Sequence, residues 1–251
     1  MTRAGKPWID WLLPFAGAGV GLIVWWLATR GGGVLAASFT PAETFRALVS
    51  LTSSGEIWPH LIASVRRVAQ GLGFAAVLGI PLGILHGFVP RFERSTSILF
   101  QFVRMISPLA WMPIAVMLLG VGDAPVLFLI TVAAVWPLLL GASAGVHAVD
   151  KESLLLARSL CATQWETITR IIIPSIIPHL LTGLRLAMGI AWIVLVPAEM
   201  LGVRAGLGYF ILDTRDRLAY SELLAVLLII GTIGYLFDLL LRQANRQAPP
   251  A

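Results

Sequence analysis

Six apolar runs, each close to the length that crosses a lipid bilayer, constrain this chain more than any other feature of its sequence. A helix needs about 20 apolar residues to cross the hydrocarbon core, and runs of that order occupy residues 11–29, 58–88, 98–119, 125–146, 179–201 and 222–241. Charged residues make up only 12% of the chain, whereas soluble domains carry about 25%. We therefore predict an all-α membrane protein with six transmembrane helices, forming one domain over residues 1–251.

The first apolar run has two interpretations, a membrane anchor or a cleaved signal peptide. Signal peptides have an apolar core of about 7–15 residues and a small-residue cleavage motif. Residues 11–29 form a longer run, and no convincing motif of that kind follows directly, so we favour the anchor. Arg3 and Lys6 precede this run and Arg242 follows the last one, which predicts cytoplasmic termini by the positive-inside tendency. Three arginines between the last two runs oppose that tendency.

Several kinds of chemistry have no sequence signal. The net charge of +5 would favour nucleic acid in a soluble protein, but here it is typical of cytoplasmic loops, and no nucleic-acid partner is predicted. Cys161 is the only cysteine and the four histidines are scattered, so neither a metal site nor a cofactor is predicted. The only Gly-Lys pair is Gly5-Lys6, outside any phosphate-loop motif. We therefore predict a chain that is not an enzyme and does not bind ATP itself.

A polar segment at residues 147–178 interrupts the apolar runs. Ionised groups at the centre of a bilayer each cost about 2.5–3.5 kcal/mol, so a segment with this many of them is predicted to lie in water. Asp150 is placed to cap a first short helix. Thr163 and Glu166 have capping-box spacing, which predicts a second short helix that begins near Gln164 and ends at Pro174. The charged residues of this segment are Asp150, Lys151, Glu152, Arg158, Glu166 and Arg170.

This segment resembles the EAA loop of permease subunits of bacterial ABC importers. That pattern is E-A-A, three residues, G, nine residues, then I-x-L-P. Ala157, Ile171 and Pro174 match it, whereas Leu155 stands at the glutamate position and Cys161 at the glycine position. The resemblance implies a type I ABC importer permease-like fold, in which residues 147–178 form a cytoplasmic coupling-helix pair. Residues expected to serve the coupling contact are Leu155, Leu156, Ala157, Cys161, Trp165, Ile171, Ile173 and Pro174.

Further segments are similar to the subgroup of these permeases that imports nitrate, sulfonates, taurine and similar small solutes. They read SVRRVAQG, GIPLG, RMISPLAWMP, TGLR and AEMLGVRAGLG, and they occur in the expected order. The resemblance implies a multi-pass protein of the bacterial inner membrane that works as a homodimer. It also implies two partners, an ATP-binding cassette ATPase subunit and an extracytoplasmic solute-binding protein, and a small solute as cargo, an anion being the favoured class.

Ionisable residues inside apolar runs are candidates for a translocation path, because they usually face water or pair with one another. Arg104 and Glu199 are the two candidates here, and a structural or gating ion pair is the open alternative for them. Asp238 is expected to pair with Arg242 one helical turn later. Arg67, near the outer end of its run, is expected to extend towards the membrane surface.

Two other functions fit a polytopic membrane protein. A secondary transporter driven by an ion gradient would show an inverted repeat with interior acidic residues at matching places, and we find no such repeat. A membrane-embedded enzyme would need clustered histidine or acidic residues at the membrane surface, which are also missing from the sequence. The importer permease is therefore the favoured prediction.

Overall fold

The computed structural model describes residues 7–31 and 38–247, which form helices joined by short turns, with no strand in these two ranges. Side chains are described from Ala16 onwards, apart from a few later positions that include Lys151 and Arg158. Arg3 and Lys6, on which the predicted cytoplasmic N-terminus depends, lie outside the described residues. The helices are α1 (Pro7–Arg30), α2 (Pro41–Ser54), α3 (Ile57–Phe88), α4 (Pro90–Met105), α5 (Met112–Leu119), α6 (Asp123–His147), α7 (Lys151–Ser159), α8 (Gln164–Thr167), α9 (Ile173–Glu199), α10 (Leu207–Asp216) and α11 (Tyr220–Gln247).

The described chain divides into two compact units. One unit contains α1, α2 and residues Phe210–Ile229. In it, the Trp25 indole donates to the Phe39 carbonyl oxygen at 2.9 Å, and Arg217 contacts Asp213 at 2.9 Å and Glu222 at 3.3 Å. The other unit runs over Pro59–Tyr209 and resumes at Ile230. The division into one permease domain over residues 1–251 remains a prediction.

Four helices of the described residues are long and apolar enough to cross a membrane, at Ile57–Phe88, Asp123–His147, Trp165–Glu199 and Tyr220–Gln243. The helices Pro90–Met105 and Pro108–Leu119 meet at a bend of 85°. They make a fifth span if the pair is counted as one broken span. The sixth predicted span falls in α1. The count of six spans therefore remains a prediction.

The sequence prediction for residues 89–119 was wrong over its first part and confirmed at the interruption by Pro108. Residues 89–97 were expected to form a loop, but Pro90 begins α4 at a position where a proline costs no helical hydrogen bond. Residues 98–119 were expected to form one span interrupted by prolines. The interruption is present: α4 ends at Met105, and a 3₁₀ turn over Pro108–Trp111 leads into α5. Ser107 precedes Pro108 and is therefore biased against the helical conformation, which explains the site of the bend.

The helix that starts at Gln164 does not end at Pro174 as predicted. It passes through a π-helical turn, Ile168–Ile172, and continues as α9 to Glu199. The Ile173 amide donates to the Ile168 carbonyl oxygen five residues back. A proline clashes with the carbonyl four residues before it in a regular helix, and the wider π turn just before Pro174 alters that spacing. The predicted second short helix and the following span are consequently one continuous helix.

Glycines spaced four residues apart let α3 approach α6 closely. A Cβ atom on Gly83 would overlap the Leu139 carbonyl oxygen and the Ala142 side chain, and one on Gly79 would lie 2.8 Å from the Val135 carbonyl oxygen. The sequence prediction that these glycines share a contact face is thus confirmed. A similar approach joins α6 to α9, where a Cβ on Gly141 would lie 3.1 Å from the Cα atom of Gly183.

We predict that Gly83→Ala destabilises the protein and that Gly73→Ala does not. Gly73 lies on the same helix, but a Cβ there meets nothing within 4 Å. Overpacking a tight contact costs about 1–3 kcal/mol, whereas alanine at an open helical position is stabilising. The measurement is the midpoint of thermal inactivation of each purified variant in detergent. Equal midpoints for the two variants would show that the α3–α6 contact tolerates an added methyl group.

Candidate functional site

A buried carboxylate, Glu199 at the end of α9, is the centre of a polar cluster within otherwise apolar helices. Its residue exposure is 0% and that of Arg67 is 3%. The Arg67 guanidinium donates to Glu199 Oε1 at 2.6 Å. The Ser64 oxygen lies 2.7 and 2.8 Å from the two carboxylate oxygens, and the Gly208 amide donates to Oε2 at 3.0 Å. Every carboxylate oxygen therefore has donors, as a buried charge requires.

Arg67 connects this carboxylate to a second one at the start of α6. Its Nε and Nη2 atoms lie 3.0 and 2.7 Å from Asp123 Oδ1, a geometry in which two parallel N–H groups serve one acceptor. Its Nη1 atom also donates to the Ala205 carbonyl oxygen at 2.7 Å. The expectation that Arg67 extends to the membrane surface was therefore wrong, because two carboxylates and a carbonyl hold it in the interior.

The chain between α9 and α10 folds onto this cluster. The Leu207 amide donates to Ser64 Oγ at 2.8 Å, and the Gly206 amide donates to His60 Nδ1 at 3.2 Å. Gly206 has a φ of +140°, and a Cβ on it would lie 2.5 Å from the Glu199 carboxylate. Only glycine combines this backbone conformation with so close an approach. The sequence motif AEMLGVRAGLG is thus explained by a segment that wraps a buried charge.

The sequence left two roles open for Glu199, contact with a translocation path or a structural ion pair. The geometry favours the ion pair, because Glu199 is fully buried and its carboxylate contacts Arg67, Ser64 and the Gly208 amide. Arg104, the other candidate, is not a partner of Glu199: its described polar contact is the Gln101 side chain, at 2.6 Å. The structure does not pair the two candidates.

Arg104 lies at the 85° bend and lines two cavities. The larger has a volume of about 480 Å³ and an apolar wall from α6 and α9 that includes Trp136, Leu140 and Leu186. The smaller, about 180 Å³, is lined by His86, Ser97, Phe100, Gln101, Arg104, Trp136, Leu139 and Leu140. Among the described residues that line these two cavities there is no aspartate or glutamate.

In the polar segment after α6, the two predicted short helices begin where the sequence indicated. Asp150 caps α7, with its carboxylate accepting from the Glu152 amide at 3.1 Å and the Ser153 amide at 3.2 Å. These donors hold the pKa of Asp150 below its ordinary value, so this cap is formed at neutral pH and is lost as pH falls through the lowered pKa. Thr163 and Glu166 form the capping box, since each accepts from the other's backbone amide, at 2.9 and 3.2 Å.

The sequence-predicted coupling residues differ in their exposure and in the cavities they line. Leu155, Leu156 and Trp165 are 60%, 61% and 72% exposed, and Leu160 is 73% exposed. Ala157 is 5% exposed, so it packs inside the helix pair rather than on its surface. A cavity of about 600 Å³ between the two helices brings together Leu156, Ala157, Cys161, Ile171 and Pro174. Ile173 lies apart from them and lines a different cavity, with Ile172 and Ile176.

Cys161 adopts the left-handed conformation, with φ of +52°. It follows the end of α7, where the Ala162 amide donates back to the Ala157 carbonyl oxygen at 2.9 Å. This is the helix-terminating geometry that glycine favours. The left-handed turn explains why the EAA pattern has a glycine at this position. In this chain a cysteine adopts the left-handed conformation instead.

A second ion pair joins α9 to α11. Arg185 Nε donates to Asp238 at 2.6 Å, and Arg242 contacts the same carboxylate at 3.0 Å. The predicted pairing of Asp238 with Arg242 is confirmed, while Arg185 as the second partner was not expected. In the described part of the chain, no three histidine, cysteine, aspartate or glutamate residues are placed to hold a metal ion.

Comparison with known proteins identifies relatives over most of this chain. Residues 79–248 match the model of the family described as binding-protein-dependent transport system inner membrane component. The bicarbonate transport system permease protein CmpB of Synechococcus elongatus is 35% identical over 240 residues, covering 90% of this chain and 85% of the relative. The taurine transport system permease protein TauC of Escherichia coli is 34% identical over 194 residues, covering 77% and 70%.

A nitrate import permease protein, NrtB of a Synechocystis species, is 35% identical over 179 residues, covering 71% of this chain and 65% of the relative. Among solved structures, the inward-facing MetNI methionine ABC transporter superposes with a TM-score of 0.64 at 16% identity, covering 77% of this chain and 94% of the other. At that identity the superposition establishes a shared fold.

We predict that Glu199→Gln lowers the stability of the protein strongly. Removing one partner of a buried ion pair costs about 3–5 kcal/mol of stability. Glu56→Gln serves as the control, because Glu56 is exposed and its ion pair with Arg217, at 3.6 Å, lies at the surface. The readouts are the yield of folded protein and the thermal midpoint in detergent. A Glu199→Gln variant with a normal midpoint but defective transport would instead support the path role.

We also predict that Cys161→Gly stabilises the helix pair. A side chain in the left-handed conformation costs about 1–2 kcal/mol, and glycine's greater freedom in the unfolded chain offsets part of this, leaving a gain of about 0.5–1 kcal/mol. Hydrogen exchange of α7 should slow two- to fivefold, roughly the equilibrium equivalent of that gain. Ala162→Gly is the matched control. Ala162 is not in the left-handed conformation, so glycine there adds only freedom to the unfolded chain, and hydrogen exchange of α7 should become faster. Faster exchange in Cys161→Gly would contradict this account of the turn.

Proposed function

The chain belongs to the family of binding-protein-dependent transport system inner membrane components and is the permease subunit of an ABC importer; from this premise we propose that it forms the path for a small anion and docks a separate ATPase subunit through α7 and α8. Two copies would enclose the path, with a solute-binding protein delivering cargo from outside. Both termini and the α7–α8 pair would face the cytoplasm.

The exposed apolar side chains of α7 and α8 are the observation that supports docking. Leu155, Leu156 and Leu160 lie outside the helices that are long and apolar enough to cross a membrane, and Trp165 is the first residue of one of them. All four are exposed and lie near the exposed charges Glu152 and Glu166 in the sequence. Lipid contact does not explain apolar groups among charges, whereas a partner surface does. Burying one leucine contributes about 1.5–3 kcal/mol, so a few such contacts are enough for a specific complex.

The solute class is supported by the relatives. Three of them are permeases for bicarbonate, nitrate and taurine. Bicarbonate and nitrate are small monovalent anions and taurine carries a sulfonate. We propose a solute of this class, with Arg104 on its path and with Glu199 acting through the ion pair that holds the α9–α10 connection.

We propose that energy for transport comes from the partner. The sequence has no phosphate-loop motif, so a chain of this kind depends on another subunit for ATP hydrolysis. α8, the π turn and α9 form one helix from the docking surface to the buried ion cluster. Movement of the docked pair would therefore reach the far end of α9 as rigid-body motion.

The test is copurification of the ATPase subunit with Leu156→Ser/Trp165→Ser. Losing two buried apolar contacts is expected to weaken the complex at least tenfold, since 1.4 kcal/mol is a factor of ten. Leu201→Ser is the matched control, because Leu201 is 57% exposed and lies outside the helix pair. Normal membrane abundance of all variants is expected. Undiminished copurification with the double variant would refute docking at this surface.

Ala157→Glu is a weaker probe of the same contact. Ala157 is buried inside the helix pair, so a glutamate there would disturb the pair itself as well as any partner. Loss of the ATPase subunit in that variant is expected, but only the surface substitutions separate docking from the folding of the pair.

A further inference from the structure

Arg104 lines two cavities and, among the described residues, has no carboxylate partner, in contrast to Arg67 and Arg185. Arg67 contacts Asp123 and Glu199, Arg66 contacts Asp123, and Arg185 contacts Asp238. The described polar partner of Arg104 is the neutral Gln101 amide. Arg104 is exposed, so its guanidinium is accessible to a soluble anion.

The position of Arg104 identifies where such an anion would lie. The 480 Å³ and 180 Å³ cavities share three lining residues, Arg104, Trp136 and Leu140. Arg104 therefore lies in the wall between the two cavities. The larger volume falls in the range of drug-sized ligand pockets, about 300–1,000 Å³, and the smaller lies below it. The smaller chamber is therefore suited to a compact solute.

Other polar groups in the small chamber are donors suited to oxygen atoms. His86 is buried, and its Nδ1 lies 3.0 Å from Ser143 Oγ. When Ser143 donates to Nδ1, the neutral imidazole carries its proton on Nε2 and can donate to a ligand. Ser97 and Gln101 add a hydroxyl and an amide. The Phe100 ring stacks on His86 with centroids 5.7 Å apart and meets Trp136 edge-on at 5.6 Å, which fixes the wall.

We propose that the small chamber is an anion-binding station, in which the Arg104 guanidinium binds a compact monovalent oxyanion on its way across the membrane. This inference rests on the proposed function for the identity of the ligand as cargo. A guanidinium offers paired N–H donors that match the oxygens of a planar or tetrahedral oxyanion. The absence of acidic residues from the described lining of both cavities disfavours cationic solutes.

The experiment measures anion access to Trp136, which lines both cavities. The purified permease–ATPase complex is placed in phosphatidylcholine nanodiscs, and the Trp136 signal is the difference between a protein and its Trp136→Phe version. Iodide is the anionic quencher and acrylamide the neutral one. Arg104→Gln is expected to lower iodide quenching of Trp136 at least threefold and to leave acrylamide quenching unchanged.

Arg94→Gln is the matched control, because Arg94, like Arg104, is exposed on α4 but lines neither cavity. This variant also removes one positive charge, and iodide should quench its Trp136 as in the unaltered protein. Iodide quenching in Arg104→Lys should be intermediate between the unaltered protein and Arg104→Gln. Sodium bicarbonate, at an ionic strength held constant with bulky gluconate, is expected to compete with iodide only where Arg104 is present. Equal iodide quenching in Arg104→Gln and Arg94→Gln would overturn the proposal.

A lipid headgroup phosphate has the same chemistry as a transported oxyanion, so a second arm separates the two. Nanodiscs with added phosphatidylglycerol should leave iodide quenching and bicarbonate competition unchanged. Suppression of quenching by that lipid, without competition by bicarbonate, would assign Arg104 to a headgroup and refute the station. Copurification of the ATPase subunit is a separate measurement. Its loss in the docking variants tests the proposed coupling, whereas an intact complex without any Arg104 effect refutes the station alone.

Discussion

A carboxylate enclosed by apolar helices is the constraint on which the second unit of this protein depends. Glu199 is fully buried, and an ionised group in that position is tolerated only when charges and donors surround it. Arg67 supplies the charge, and Ser64 and the Gly208 amide supply further donors. Because Arg67 also contacts Asp123, the same guanidinium joins α3, the start of α6 and the end of α9.

The helix that ends at Glu199 begins, thirty-five residues earlier, at the exposed helix pair. α8, the π turn and α9 form one rod, tied part-way along to α11 by Arg185 and Asp238. It also packs on α6 through the close approach of Gly141 and Gly183. Tight interfaces of this kind do not deform continuously; they shift as bodies between discrete arrangements. A displacement applied at the α7–α8 surface would therefore bear on the packing of α6 and on the ion cluster.

Local features of this fold could be predicted from the sequence and distant ones could not. The spans at α3, α6, α9 and α11 follow from run length, and the Asp150 cap and the Thr163–Glu166 box follow from spacing, because each depends on residues within one or two turns. The pairing of Arg67 with Glu199 joins positions 132 residues apart, and no periodicity reports such a contact. Glu199 was singled out because a charge interrupts an apolar run, but its partner was taken for a surface residue.

Pro174 and Pro108 have different effects on the backbone, and only the interruption at Pro108 was predicted. A proline removes one amide donor, and its ring clashes with a backbone carbonyl in a regular helix, but neither effect decides what the chain does next. At Pro174 a π turn absorbs the conflict and the helix continues, whereas at Pro108 the chain leaves the helix before the proline and turns by 85°. Sequence alone marks both positions equally. Packing distinguishes the two positions. After Pro174, α9 continues along α6. At Pro108, the turn leaves Arg104 lining two cavities.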